Sequence, residues 1–448
     1  MKARAIIVLA LAALVLVAAP ALAANKVQAV TSAAGITAWL VEDHSLPVVT
    51  VDVSFRGGAA LDPPDKAGLA TFTADLLDEG AGELDSPIFQ EKLEDLATSM
   101  EFSASEDAVS ASMRTITANL VPSLDLLRLA LTAPRFDEPA VTRVRGQLLA
   151  QLARNQREPH YIASRLWFRN AFGDHPYARP LRGLPESIER IAADDMRQFV
   201  RERFGKDMMI IGVVGDITPA TLRDLLDKTF GALPVRAAAA SVPEVQPNAA
   251  GSLLLAKMPI PQSVVTFGEP GIKRNDPDWY AAYVVNYILG GGGFGSRLTE
   301  EVREKRGLAY SVGTGLDPLQ HSGLILGSVA TQNGRLAQSL DIIRAEWRRL
   351  RDEGPTEKEL ADAKTYLTGS YALSLDSTGQ IAATLVAIQR DKLGIDYLER
   401  RNALIDKVTI ANAKRVARRL FDPDKLSFVV VGSPENLPGA KEVTPDGS

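Results

Sequence analysis

The sequence predicts an α+β fold of two homologous lobes, each a mainly antiparallel sheet with helices packed on one face, which together enclose a cleft. Three observations predict this fold: an internal repeat, strand-like segments interleaved with helix-like ones, and an irregular segment between the two copies. The chain has 448 residues and a hydrophobic content of 46%, so each lobe can bury a core of its own.

The internal repeat rests on three matches in the same order. SLDLLR recurs as SLDIIR 216 residues later, and Pro139 and Pro355 have the same spacing. Phe204 and Phe421, 217 residues apart, each precede an apolar, strand-like run. One match could be chance, whereas three ordered matches at nearly one spacing indicate two copies of one unit.

The segment between the copies, PVRAAAASVPEVQPNAAGS, is rich in Ala and Pro and has no periodic apolar face, which is typical of a linker. The predicted divisions are a signal peptide at 1–23, an N-terminal lobe at 24–233, the linker at 234–252, a C-terminal lobe at 253–435 and a polar tail at 436–448.

Each lobe mixes strands and helices. In the first, ITAWLVEDHSLPVVTVDVSFRGG alternates and is β-branched, which predicts two strands with a turn near Pro47. MEFSASEDAVSASMRTIT alternates again, and MMIIGVVGD predicts a buried strand. Helices are predicted for GLATFTADLLDEG, SPIFQEKLEDLATSM, LVPSLDLLRLAL and DEPAVTRVRGQLLAQLARN, the last with Pro139 in its first turn.

The first residues predict export. Lys2 and Arg4 precede an apolar run, and Ala21-Leu22-Ala23 has the small-residue spacing of a cleavage site, so we expect cleavage after Ala23 and a periplasmic product. An uncleaved anchor is the alternative, because the apolar run is nearly long enough to span a bilayer. No later segment resembles a membrane span, so no stable span is expected after cleavage.

Composition excludes several kinds of chemistry. The chain has no cysteine, which rules out disulfides and thiol catalysis. A formal net charge of −5 without a Lys/Arg-rich run argues against a nucleic-acid partner. No G-x-S-x-G occurs, and no two of the four histidines lie three or four residues apart. We therefore expect no metal site in this chain.

A glycine run opens the segment GGGGFGSRLTEEVREKRGLAYSVG. It lacks the GK[ST] of a phosphate loop and predicts a turn that lets another backbone approach closely. The helix after it ends at Gly307, and a strand follows. Arg303 and Tyr310 lie at this corner and are donors suited to a peptide carbonyl or an oxyanion. Taken alone, the two residues favour a structural interpretation, with Arg303 on a solvated charged face and Tyr310 as a packing residue.

These segments resemble the pitrilysin-like zinc metallopeptidases, the inverzincin clan that includes mitochondrial processing peptidase and insulin-degrading enzyme, across essentially the whole mature chain. The glycine segment is similar to the family's second-half signature, in which an Arg and a Tyr seven residues apart bind substrate backbone and stabilise the tetrahedral intermediate. Arg303 and Tyr310 match that spacing, and DHPYARPLRGLPESI is similar to the first-half segment after the distal ligand. The resemblance implies substrate binding by the loop residues Gly291, Gly292, Gly293 and Phe294.

The first half departs from the family where H-x-x-E-H would lie, in GLATFTADLLDEG. Thr71 replaces the first His, Ala74 the general-base Glu and Asp75 the second His. Gln151 stands at the best match for the distal Glu. These residues offer neither imidazole nor a base for metal-bound water, so the helix is expected to serve packing alone. Its apolar frame is retained at Leu69, Phe72, Leu76 and Leu77.

Some members of the family work as pairs, in which one subunit holds zinc and the other holds the Arg/Tyr pair. The resemblance therefore implies a non-catalytic subunit of a heterodimer, with zinc in a homologous partner and no cofactor in this chain. An oligopeptide substrate would lie extended along a sheet edge. Two alternatives stay open: a catalytically silent structural or peptide-binding homologue, and an independent hydrolase of a new type.

Overall fold

The computed structural model describes residues 26–248 and 251–445, which form two six-stranded sheets. The first sheet contains β1 (Gln28–Thr31), β2 (Thr37–Glu42), β3 (Val48–Arg56), β4 (Ser99–Ala104), β5 (Ala108–Ile116) and β6 (Met209–Gly215). The second contains β7 (Leu253–Lys257), β8 (Gln262–Pro270), β9 (Ala309–Asp317), β10 (Leu324–Gln332), β11 (Ser427–Gly432) and β12 (Lys441–Val443). The spatial orders are β1-β2-β6-β3-β5-β4 and β12-β7-β11-β8-β10-β9.

Helices follow the strands in both halves. Those of the first half are Leu69–Ala74, Ser86–Asp95, Leu120–Thr132, Glu138–Asn155, Pro159–Phe172, Pro185–Arg190, Ala193–Arg203 and Pro219–Phe230. Those of the second are Trp279–Asn286, Leu336–Glu353, Glu357–Gly369, Thr378–Arg390, Tyr397–Asp406 and Ile410–Leu420, together with two π-helical turns, Tyr287–Gly291 and Thr299–Glu304.

The predicted duplication is visible in the strand pairing. β2-β6-β3-β5-β4 and β7-β11-β8-β10-β9 have the same order and the same directions, with one parallel pair (β2/β6 and β7/β11) and three antiparallel pairs. The outer strands differ, because β1 is antiparallel to β2 whereas β12 is parallel to β7. The predicted α+β class with two lobes is confirmed, and the sheets are mixed.

The two strands predicted around the turn near Pro47 are present but do not pair with each other. β6 lies between them, with Gly212 opposite Trp39 on β2 and opposite Asp52 on β3. β6 is a nearly continuous apolar run, the pattern of a strand covered on both faces, and it therefore takes the central place.

Each half has its own apolar core between its sheet and its helices. Phe72, Leu127 and Phe199 are buried against the first sheet, and Ile343 and Trp347 against the second. The other face of each central sheet region is covered by a helix from the opposite half, which the sequence did not predict.

This exchange of helices is reciprocal. Pro159–Phe172 packs on β8 and β11, where the Trp167 indole donates to Ser427 O at 3.3 Å. Thr378–Arg390 packs on β3 and β6, where Gln389 donates to Ile211 O at 2.9 Å. The two halves are therefore interlocked and are expected to unfold together.

The connecting segments take part in the packing. Residues 237–248 form neither helix nor strand, but Val245 N donates to His321 O at 3.0 Å and Asn248 N to Ala171 O at 2.6 Å. The region predicted as a polar tail contributes β12. Among the described residues, no helix has the length and apolar character needed to cross a bilayer. The predicted signal peptide lies outside those residues.

Gly212→Val is expected to lower the free energy of unfolding by about 1–3 kcal/mol through overpacking. A Cβ at this position would lie 2.6 Å from Ala382 O of the exchanged helix. Chemical denaturation of this variant, of a control variant and of the parent chain measures the change in the free energy of unfolding. The control is Gly146→Ala, where a Cβ meets nothing within 4 Å on the helix Glu138–Asn155, and it should stabilise the chain. Equal stabilities of the two variants would contradict close helix exchange.

Candidate functional site

The helix Leu69–Ala74 is wholly buried and begins at Gly68, which has φ 92°. The Asp62 carboxylate accepts from the backbone N–H groups of Gly68 at 3.0 Å and Ala70 at 3.2 Å, which satisfies donors that the helix start leaves free. Burial raises the pKa of Asp62 to about 7. The predicted frame residues Leu69, Phe72, Leu76 and Leu77 are all buried in the first core.

The positions aligned with the zinc motif hold a different set of contacts. The Thr71 hydroxyl donates to Leu181 O at 2.8 Å, and Ala74 is buried with no polar group to offer. Asp75 Oδ2 lies 3.9 Å from Arg182 Nη1, and the same Nη1 donates to Gln151 Oε1 at 3.4 Å. The Arg182 guanidinium thus lies between Asp75 and Gln151, the residues aligned with the second His and the distal Glu.

An open cavity lies beside these residues, and its lining comes from the N-terminal lobe alone: Ala74, Asp75, Asp78, Glu79, Met100, Glu101, Phe102, Val144, Gln147, Leu148, Gln151 and Arg182. Burial raises the pKa of Asp75, against the opposing effect of Arg182. Burial and the neighbouring Glu79 raise the pKa of Asp78 to about 6. The cavity is acidic and contains no imidazole.

The glycine run begins in the first π-helical turn, at Gly290 and Gly291, and continues towards the second, and π-turns often occur at functional sites. A Cβ on Gly290 would lie 2.5 Å from Thr314 Oγ1, one on Gly291 2.9 Å from Asn286 Nδ2, and one on Gly292 2.8 Å from Tyr287 O. These three glycines therefore allow close packing within the lobe.

The tip of the loop faces solvent. Gly293 has φ 54° and would meet nothing with an added Cβ, and the Phe294 side chain is exposed. Of the loop residues predicted to bind substrate, Gly291, Gly293 and Phe294 are exposed and Gly292 is partly buried.

Arg303 and Tyr310 are neighbours, as their spacing predicts. Arg303 Cζ lies 4.8 Å from the Tyr310 ring centroid and 4.7 Å from that of Phe294, so the guanidinium is held between two aromatic rings. Arg303 Nε also lies 3.2 Å from Glu304 Oε1. Tyr310 is 83% exposed and Phe294 73%, so the stack projects from the edge strand β9 into solvent.

Arg297, which was not identified from the sequence, anchors the segment that leads to Arg303 and Tyr310. It is 5% exposed, and its Nε and Nη2 donate to the Glu359 carboxylate at 2.6 and 2.8 Å, while Nη2 also donates to Gly354 O at 3.0 Å. Burial would raise the pKa of Glu359, but hydrogen bonds from Arg297 and Thr356 lower it to about 2. Nothing in the sequence indicates an ion pair 62 residues apart.

Comparison with known proteins identifies the family of this chain. The family model "Insulinase (Peptidase family M16)" matches residues 38–184, and "Peptidase M16 inactive domain" matches residues 190–367. A solved structure of a peptidase M16 inactive domain from Pseudomonas fluorescens is 30% identical, with a TM-score of 0.86 over 93% of this chain and 99% of that chain. The chain belongs to the M16 peptidase family.

Two curated relatives match most of the length of the chain. A protein named non-peptidase homolog YmxG, from Helicobacter pylori, is 28% identical over 393 residues, which is 88% of this chain and 90% of the relative. A protein named uncharacterized zinc protease YmxG, from Bacillus subtilis, is 23% identical over 407 residues, 90% of this chain and 98% of the relative.

The zinc that the M16 family implies does not fit the residues present here. Within residues 26–248 and 251–445, no three His, Asp or Glu side chains converge to hold a metal ion. A catalytic zinc needs about three protein ligands. Asp75 and Gln151 instead face a permanent cation, Arg182.

Arg297→Met is expected to lower the free energy of unfolding at neutral pH by about 3 kcal/mol, the low end for breaking a buried pair, because Glu359 stays partly exposed. Glu359 has a pKa of about 2 in the folded chain, below the ordinary glutamate value of 4.5. The pair's contribution is therefore present above pH 4.5 and is lost as the pH falls towards 2. Denaturation of variant and parent across this pH range tests it.

Arg306→Met removes an exposed partner of Glu301 on the same segment and should cost under about 1 kcal/mol. The anchoring role of Arg297 would be contradicted if Arg297→Met lowered the free energy of unfolding no more than Arg306→Met does. It would also be contradicted if the effect of Arg297→Met did not shrink in acid.

Proposed function

We propose that this chain is the non-catalytic subunit of an exported heterodimeric zinc metallopeptidase that degrades or processes oligopeptides. A homologous partner would hold the zinc, and this chain would supply Arg303 and Tyr310 to the partner's site. The observation that carries the proposal is the exposure of the Arg303–Tyr310 stack at a sheet edge of the C-terminal lobe. The cavity beside the former zinc-motif positions is lined by the N-terminal lobe alone, so the stack does not line it.

The chemistry assigned to this chain is positioning and charge stabilisation. The zinc of the partner would supply the activated water. The Tyr310 hydroxyl is exposed and can donate to a substrate carbonyl oxygen as negative charge develops there. Arg303 is fixed between two rings, so its guanidinium can bind substrate backbone without first being ordered.

An extended peptide can also bind the edge of the sheet. β9 pairs with β10 on one side, and the described residues place no strand on its other side. Such an edge is suited to an added strand, with Tyr310 beside the bound peptide, and the peptide would displace the hydrogen bond that Asn286 Nδ2 donates to Thr314 O at 3.3 Å. This favours oligopeptides or unfolded segments as substrates.

Export and a periplasmic location belong to the same proposal. They rest on the N-terminal sequence, where Lys2 and Arg4 precede the apolar run and the predicted cleavage site.

The second candidate is a catalytically silent structural or peptide-binding homologue. The name of the Helicobacter relative, non-peptidase homolog, favours it, as does the misfit between zinc and the residues of the N-terminal lobe. The retained Arg303 and Tyr310 favour the heterodimer, because a scaffold has no need of an exposed guanidinium–phenol stack.

The proposal is tested with a tagged chain co-expressed with a homologous chain that carries H-x-x-E-H. We expect the two to co-purify and peptidase activity to appear only in the mixture. Tyr310→Phe should lower kcat of the mixture about 100-fold with little change in KM, because it removes one hydrogen bond to the developing oxyanion.

The matched control is Tyr366→Phe, which removes an exposed hydroxyl from the same lobe. It should leave kcat and co-purification unchanged. Unchanged activity of the Tyr310→Phe mixture would favour the silent homologue, and chelator-sensitive activity of this chain alone would refute both candidates.

A further inference from the structure

Three of the four positions that replace the zinc motif contact one dipeptide. Thr71 donates to Leu181 O at 2.8 Å, Asp75 lies 3.9 Å from Arg182 Nη1, and Gln151 accepts from Arg182 Nη1 at 3.4 Å. The fourth position, Ala74, lines the same cavity as Arg182. Leu181 and Arg182 therefore contact the side chains at the positions where the family has metal ligands.

The backbone around Arg182 is fixed against the start of the buried helix. Gly183 has φ 72°, and a Cβ there would lie 2.1 Å from Ala67 O. A Cβ on Gly68 would lie 2.8 Å from the Arg182 carbonyl. The Ser187 hydroxyl donates to Ala67 O at 2.7 Å. This close fit leaves the Arg182 side chain directed along the helix towards Asp75.

We propose that Arg182 takes the place of the metal ion, as a built-in cation that joins the two helices of the former site and keeps divalent ions out of it. The assignment rests on the M16 correspondence of Thr71, Asp75 and Gln151. The role of Arg182 does not depend on the proposed heterodimer, and a catalytically silent homologue would use Arg182 in the same way.

Charge and geometry support this role. A guanidinium offers several N–H donors in one plane, so it can serve a carboxylate and an amide oxygen at once. Asp75 and Arg182 balance each other, and the neutral Gln151 adds an acceptor without adding charge. Because an arginine stays protonated at every physiological pH, this cation cannot leave as a metal can.

The first test restores the ligands by combining Thr71→His, Ala74→Glu, Asp75→His and Gln151→Glu, with and without Arg182→Leu. Zinc bound after dialysis is measured by elemental analysis, and affinity by competition with a chromogenic chelator. We expect about one zinc per chain when Arg182 is replaced, and at least about tenfold weaker binding when it is present. Arg157→Leu in the restored chain is the control, because it removes an exposed arginine that does not line the cavity, and zinc affinity should not change.

Equal zinc affinities with and without Arg182 would overturn the proposal, and so would a failure of the Arg182→Leu chain to bind zinc while folded. A double-mutant cycle in the otherwise native chain keeps the idea testable if the restored chains do not fold. Asp75→Asn should raise the midpoint of thermal unfolding more in the Arg182→Met background than in the parent, because the partly buried carboxylate then lacks its cation. Equal shifts in both backgrounds would show that Arg182 does not serve Asp75.

Discussion

The exchange of one helix between the halves is the constraint on which the other features depend. It is made possible by two strand glycines: Gly212, where the helix Thr378–Arg390 crosses, and Gly268, where an added Cβ would lie 2.9 Å from the Trp167 ring. With the central strands of each sheet covered on both faces, recognition is left to the free strand edges. β4 forms the edge beside the cavity of the N-terminal lobe, and β9 forms the edge that carries Tyr310.

The two edges have kept different chemistry. Near β4 the positively charged Arg182 lies 3.9 Å from Asp75 and donates to Gln151. At β9 the hydroxyl of Tyr310 and the ring of Phe294 face solvent, and they flank a guanidinium that stays partly exposed. Polar groups that already have partners within the chain have little to offer a substrate, whereas an exposed stack can act on a substrate held elsewhere. This asymmetry is why assistance to a partner fits the geometry better than catalysis within the chain.

Much of the fold could be predicted from the sequence, because repeats and periodic apolar residues are local signals. The helix–strand corner after the glycine run is one example, and Gly307 has the positive φ (59°) expected of a helix C-terminus. Pairing was harder, since nothing local shows that β6 separates β2 from β3 or that a tail segment becomes β12. The same limit applies to the site. Its positions 71, 75 and 151 were located by resemblance, but their contacts with residues 181 and 182 cross about 30 to 110 residues of chain.

The substitutions in the former zinc motif are best understood as solutions to burial. A metal-free version of the motif would leave two imidazoles and two carboxylates at the side of a buried helix. The imidazoles would lack the metal as a partner, and the carboxylates would lack its balancing charge. Ala74 removes a polar group altogether, and Thr71 offers one donor that Leu181 O accepts. Gln151 keeps the shape of a glutamate without its charge. Asp75 alone keeps a negative charge, and Arg182 is the group that balances it. The helix can therefore be kept without the metal. Each position of the former motif now carries either no polar side-chain atom or a polar atom with a partner inside the chain.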